Sequence, residues 1–433
     1  MDVVKKRVLG NNILQVLAIK PFLLMMLSEF FSQLAFNMQH FVLIFIIYNI
    51  TRSNTAVSGM ILSFMIPAVI FSVITGVYVD RWNKKKVLVY TNLIRGLLIL
   101  PFLIPDLHLG LIYFLTFLIA VATQFFIPAE SAIIPQLVPK HLLMPANAVF
   151  AFGIYASTLI GYVFAGPMLL LFGETNTIIF LGLLFLVSAL FVILVKLVNG
   201  KKEAPKDKLS FFNNFSIAKE TREIFSFIRK ARKVMHALVM LTIAQAIIFM
   251  FAVLAPGYVT TILQAPLESL SWILIAPAGL GLGLGAFFLG SIGKKFNHRC
   301  LSAIGFMITG IIFILLPFTS RVASYGFVQS LNNFLPNILD INILHIIVVL
   351  AFVIGFSNSF VFIPSNTTIQ IETGEDMRGR MYGLLNSLVG AVSFLPVVLA
   401  GGLADLLGVG AVIASVGVIM VILSMYYLFL IKF

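Results

Sequence analysis

Residues 76–88 read Gly-Val-Tyr-Val-Asp-Arg-Trp-Asn-Lys-Lys-Lys-Val-Leu, a charged stretch set between two long apolar runs. A related stretch returns in the second half of the chain, where residues 290–299 read Gly-Ser-Ile-Gly-Lys-Lys-Phe-Asn-His-Arg. Gly76 falls on Gly290, Asp80-Arg81 on Lys294-Lys295, Trp82 on Phe296, Asn83 on Asn297 and Lys84-Lys85 on His298-Arg299. The second copy keeps the glycine and the basic cluster and loses the acid. Phe126-Ile127-Pro128-Ala129 likewise returns as Phe362-Ile363-Pro364-Ser365, so the repeat extends over most of each half. The chain is an internal duplication.

Composition names the solvent around both copies. Over 433 residues, 60% are apolar and only 10% charged, whereas a soluble globule carries about a quarter charged residues. The medium is lipid. A bilayer core about 30 Å thick needs about 20 apolar residues per helix, which leaves room for twelve spans, at 21–48, 55–79, 87–104, 110–136, 146–172, 175–198, 236–262, 268–292, 300–318, 342–369, 379–404 and 409–431. The expected fold is an all-α membrane protein of twelve transmembrane helices in two pseudo-symmetric six-helix bundles, 1–198 and 236–433, joined by a linker at 199–235.

Basic residues exceed acidic ones by 13, and their placement reads as membrane topology rather than nucleic-acid binding. With both termini in the cytoplasm, that side receives Lys5, Lys6, Arg7, Lys20, the Arg81–Lys86 cluster, Lys140, the linker, Lys294, Lys295, Arg299, Arg378, Arg380 and Lys432. Outside lie only Arg52 and Arg321. In the linker, Ile217, Ile224, Phe225 and Ile228 alternate with Lys219, Arg222, Arg229, Arg232 and Lys233, the pattern of an interfacial helix on anionic lipid; a solvated linker is an equal reading. The polar interval from Thr319 to Ile341 is expected as an external lid or surface helix. Cys300 stands alone, which excludes an intrachain disulfide and a thiolate metal cluster.

Three residues carry a formal charge well inside the apolar runs: Glu29, Arg95 and Glu130. Such groups cost several kcal/mol unless paired or hydrated, so each is a candidate functional residue. On span 1, Glu29, Gln33, Asn37 and His40 fall within an arc of about 80°. That stripe suits a water-filled cavity, or else a polar seam between helices. Glu29 and Arg95 each lie about 12 Å beyond the start of their spans, at one depth. Glu130 lies about 9 Å from the end of span 4, within reach of Arg81 or Arg95. The run Gly279-Leu-Gly281-Leu-Gly283-Leu-Gly285 has no preceding strand and no Ser or Thr after Lys294, which excludes a nucleotide loop; a close-packing helix face is the simpler reading. Gly153, Gly161 and Gly166-Pro167 offer a similar surface on span 5. No cofactor signature is present, and the six scattered histidines form no enzyme-like cluster.

Gly76-x-x-x-Asp80-Arg81-x-x-Lys84-Lys85 between spans 2 and 3 resembles the signature loop of the major facilitator superfamily of secondary transporters. That resemblance implies a role for Asp80 in bracing the start of helix 11, near Asp376 and Arg378, as a cytoplasmic gate latch with Gly76, Arg81, Lys84 and Lys85, which Glu130 joins by its depth; taken alone, the lysines read first as topology anchors. Pro128-Ala129, Ile133-Ile134-Pro135, Val138-Pro139, Ala146-Asn147-Ala148 and Arg378-Gly379-Arg380 are similar to the branch that contains bacterial macrolide-efflux and siderophore-export proteins. Gly161 and Gly166-Pro167 match the fifth-helix antiporter signature in part, with Leu170 and Leu171 where it has glycines. The implied protein is a monomeric, proton-coupled exporter of bulky amphipathic solutes in a bacterial inner membrane, without cofactor, metal or nucleic acid. Glu29, Gln33, Asn37, His40 and Arg95 would serve its substrate and proton cavity. A lysophospholipid flippase of the same fold and a passive channel are the rival expectations.

Overall fold

A computed structural model of the chain describes residues 12–196, 231–292, 297–319, 342–373 and 375–432. It is all-α. After a short helix over Asn12–Leu17, the first half contains α1 (Lys20–Thr51), α2 (Asn54–Arg81), α3 (Lys84–Leu98), α4 (Leu109–Leu137), α5 (143–172) and α6 (174–194). The second contains α7 (Arg232–Gly257), α8 (Ala276–Ile292), α9 (His298–Leu315), α10 (Ile343–Glu372), α11 (Glu375–Leu407) and α12 (Val409–Lys432). Eleven continuous segments are long and apolar enough to cross a bilayer. One of them, Lys140–Leu194, runs for 55 residues and is broken at Gly173, whose φ of 75° and ψ of 174° a glycine adopts without steric cost. Divided there it supplies α5 and α6, and the crossings number twelve among the described residues.

The ends of the helices follow local chemistry. α3 gives way to a 3-10 turn over Leu100–Leu103 because Pro101 has no amide hydrogen and disfavours helix just before it. Asn83 caps α3 by accepting from the Lys86 amide at 3.1 Å, and its repeat counterpart Asn297 caps α9 by accepting from the Arg299 amide at 3.0 Å. Both copies of the charged stretch therefore start a helix in the same way. α7 begins at Arg232, four residues before the expected span. The remainder of the linker, with its expected interfacial helix, and the external interval 320–341 lie outside the described residues.

Contacts divide the chain into two compact units, Met1–Leu43 with Ser63–Leu209 and Ile44–Leu62 with Ser210–Phe433. In the first, Phe22, Met25, Phe126, Ile133 and Val192 meet in one buried cluster. α1 joins α6 through a reciprocal serine pair: Ser28 Oγ donates to Ser188 O at 3.0 Å and Ser188 Oγ donates to Ser28 O at 2.8 Å. Gly161 of α5 lets α1 approach so closely that an added Cβ would lie 3.0 Å from Leu34 O. In the second unit the glycine-rich face of α8 lies on α10, where a Cβ at Gly285 would stand 2.9 Å from Phe356 O while one at Gly283 would meet nothing within 4 Å. Small residues on one face let two helix backbones approach where lipid supplies no hydrophobic drive.

Candidate functional site

The three charges inside the spans of the first unit are all buried: Glu29 and Arg95 are 1% exposed and Glu130 is 5% exposed. They come from α1, α3 and α4, and the uncharged side chains around them hold the guanidinium in place. Arg95 Nη2 donates to Asn92 Oδ1 at 2.7 Å and to Ser32 Oγ at 2.8 Å, while Ser32 Oγ donates to Asn92 Oδ1 at 3.1 Å. Asn92 is one turn before Arg95, and Ser32 is one turn after Glu29, so helix periodicity presents each pair on one face. The Arg95 guanidinium also lies over two aromatic rings, 4.4 Å from the Phe126 centroid and 4.9 Å from that of Phe185, and gains from their negative faces. Phe126 is one turn before Glu130 on α4.

The carboxyls of Glu29 and Glu130 are neighbours, and both interact electrostatically with Arg95. The Glu29 carboxyl lies against Glu130 and Gln33, while Oε1 of Glu130 and Nε of Arg95 have no hydrogen-bond partner among the described residues. Among the described residues one cation thus lies near two carboxyl groups, all three nearly excluded from solvent. With both ionised the cluster carries an uncompensated negative charge, which burial penalises strongly; with one proton bound it is neutral.

The rest of the α1 stripe turns toward α5. Asn37 Nδ2 donates to Gln33 O at 2.7 Å and to Thr158 Oγ1 at 3.2 Å, and His40 Nδ1 lies 3.3 Å from the Tyr162 hydroxyl with its ring 3.9 Å from that of Phe64. Glu29 is therefore brought together with Arg95 and Glu130, whereas Asn37 and His40 line a hydrogen-bonded helix seam. Gln39, on the same helix, is fully buried with both amide atoms unpartnered among the described residues, which a count of formal charges overlooks.

Among the residues expected at the latch, Lys85 donates to the Ile193 and Val195 carbonyls, both at 2.8 Å. It satisfies the free carbonyls at the end of α6, where a cation is also favoured by the helix dipole. The side chains of Asp80, Arg81, Asp376 and Arg378, and the surroundings of Gly76, lie outside what the structure describes. In the second unit, sequence reading missed Asp405. Its Oδ1 accepts from the Asn54 amide at 2.8 Å and from Asn54 Nδ2 at 3.0 Å, and its Oδ2 accepts from Ser53 Oγ, the Thr55 amide and Thr55 Oγ1 at 2.6, 3.0 and 2.7 Å.

Twelve apolar crossings among the described residues, an internal duplication and a buried ionisable cluster are the architecture of a multi-pass membrane transporter. Residues 25–396 match the family model of the Major Facilitator Superfamily, and the chain belongs to that family. It is 22% identical over 416 residues to the uncharacterized MFS-type transporter YfmI of Bacillus subtilis, covering 94% of this chain and 95% of that one. It is 24% identical over 376 residues to the multidrug efflux pump Tap of Mycolicibacterium fortuitum, covering 84% of each. The crystal structure of the nucleoside transporter NupG shares the fold, with a TM-score of 0.69 at 12% identity over 95% of this chain and 99% of that one.

Proposed function

We propose that this chain exports bulky amphipathic organic solutes by alternating access, driven by protons taken up at Glu29. The observation that carries the reading is the buried group of Glu29, Glu130 and Arg95, in which one guanidinium offsets only one of two carboxyls. Such a group holds one proton while it is closed off. Opening to water on either side lets that proton leave, because a hydrated second carboxylate no longer needs compensation. Similarity to a multidrug efflux pump supports the efflux direction and the breadth of substrate. Gln33, Asn37 and His40 extend the polar face of α1 from this group, and the one-sided distribution of Lys and Arg supports cytoplasmic termini in a bacterial plasma membrane. The latch at Asp80, Arg81, Asp376 and Arg378 is proposed for the cytoplasmic gate on the sequence pattern alone.

The test is Glu29→Gln in proteoliposomes loaded with a fluorescent amphiphile. Glutamine keeps size and hydrogen bonding and removes the titration. Accumulation against a gradient should vanish while exchange of substrate down its own gradient persists. A variant that still concentrates substrate and still moves protons would overturn Glu29 as the coupling group and shift that role to Glu130 or His40, whereas a parent protein that moves no protons would favour uncoupled lipid movement.

A further inference from the structure

The second unit carries two cavities that share a wall. One, of about 420 Å³, lies where α7 and α9 begin and α10 and α12 end, and is lined by Lys233, His236, His298, Arg299, Glu372 and Tyr427 among others. The other, of about 450 Å³, is a groove bounded by α7, α9, α11 and α12, with Phe306, Pro396, Leu403 and Ala411 in its wall and almost no polar surface. Met240 and Tyr427 line both. A polar basic pocket at the end of the helices thus adjoins an apolar trough, with Met240 and Tyr427 between them. From Tyr427 to Ala411 the trough follows α12 for about 24 Å, more than the roughly 15 Å depth of one leaflet of a bilayer core.

The charge of the pocket is positive on balance. Lys233 is paired with Glu372 at 2.7 Å, while Arg299 makes no ion pair among the described residues. His298 and Arg299 open α9, behind Asn297, at the end of the helix where the backbone dipole favours an anion. His298 Nδ1 meets Thr368 Oγ1 at 3.2 Å, so its Nε2 is left for another partner. The trough is open to the surroundings along its outer side, where Leu407 is 66% and Ile419 57% exposed.

We propose that this composite cleft is a binding site for an anionic phospholipid, with the phosphate of the headgroup against Arg299, His298 and Lys233 and an acyl chain in the trough. Head and tail chemistry occur at the spacing and in the order that such a lipid presents them at a membrane surface. The site is built from residues of the second unit alone and shares none with the ionisable cluster of the first.

The experiment is native mass spectrometry of the full chain in detergent, titrated separately with phosphatidylglycerol, phosphatidylcholine and inorganic phosphate. Phosphatidylglycerol should be retained at concentrations where phosphatidylcholine is not, and inorganic phosphate should fail to displace it. Arg299→Gln should weaken retention about fivefold, the effect of one cation near a lipid headgroup, while Arg299→Lys stays near the parent and shows that the fold is intact. Ser415→Trp, which fills the trough without touching the pocket, should weaken phosphatidylglycerol as well. Equal retention of the two lipids, or ready displacement by inorganic phosphate, would overturn the proposal. So would unchanged retention in both Arg299→Gln and Ser415→Trp, because the lipid would then sit elsewhere.

Discussion

The carboxylate of Asp405, near the end of α11, accepts the backbone amide of Asn54 at 2.8 Å, at the first residue of α2. It also takes the Thr55 amide at 3.0 Å, while Ser53 Oγ accepts from the Ala56 amide at 3.2 Å. With the Ser53 amide donating to Thr51 Oγ1 at 3.2 Å, all four free amides that open α2 are satisfied by side chains, two of them by a residue far away in sequence. A negative charge at that position also complements the helix dipole.

Asp405→Ala should therefore lower the stability of the second unit by about 1 kcal/mol, the usual cost of losing a cap. Asp405→Asn, which keeps one acceptor oxygen, should lose less. Hydrogen exchange gives the local readout: the Asn54 and Thr55 amides should exchange faster in the alanine variant, with the interior of α8 unchanged. Unaltered exchange at both amides would show that water caps the helix as well as Asp405 does.

Close approach of the same two helices sets a second test. A Cβ at Gly401 would lie 2.7 Å from Asn54 O and closer still to Ser58 Oγ, whereas a Cβ at Gly402 would meet nothing within 4 Å. Gly402→Ala should be neutral or slightly stabilising because alanine favours helix. Gly401→Ala should instead cost about 1–3 kcal/mol as α2 and α11 are forced apart. A thermal unfolding midpoint that falls equally in both variants would remove the packing argument.

The serine pair between α1 and α6 sets a third. Ser28 and Ser188 are both fully buried and exchange hydrogen bonds with one another's carbonyls. Hydrogen bonds between membrane helices are worth about 0.6 kcal/mol on average and up to about 1.7. Ser188→Ala should fall in that range, and Ser28→Ala combined with it should cost less than the two single losses together, since each serine is the other's partner. Strict additivity would mean that the two hydroxyls act independently.

The helices themselves were legible in the sequence because lipid demands long apolar runs, and Asn83 and Asn297 were legible as a repeated pair, while their shared role as caps emerged only from the structure. The buried charges were legible for the same reason, as a charge inside an apolar run is conspicuous. Their partners were not. Ser32, Asn92 and Ser188 are uncharged and look like ordinary helix residues until three-dimensional packing shows what they touch. Asp405 escaped because it lies at the end of a span, where an acid needs no explanation; only the distant start of α2 gives it one. Glu130 was assigned to the gate by its depth, and its proximity to Glu29 depends on how α1, α3 and α4 pack, which hydropathy does not report.

That packing motivates the last prediction, a double-variant test of charge balance. Among the described residues Arg95 is the cation near Glu29 and Glu130, and all three are nearly excluded from solvent. Arg95→Gln leaves two buried carboxyls without that nearby counter-charge, and a buried charge left uncompensated is destabilising. The loss should be visible as poor yield and a lower unfolding midpoint. Adding Glu130→Gln removes one of the stranded acids, so the double variant should recover a large part of that loss even though it is further from the parent sequence. Asn92→Ala offers an independent check, because it removes the 2.7 Å acceptor that orients the guanidinium while leaving every charge in place, and should cost less than Arg95→Gln. If the double variant is as unstable as Arg95→Gln alone, the contribution of Arg95 is its packing on Phe126 and Phe185 rather than its charge.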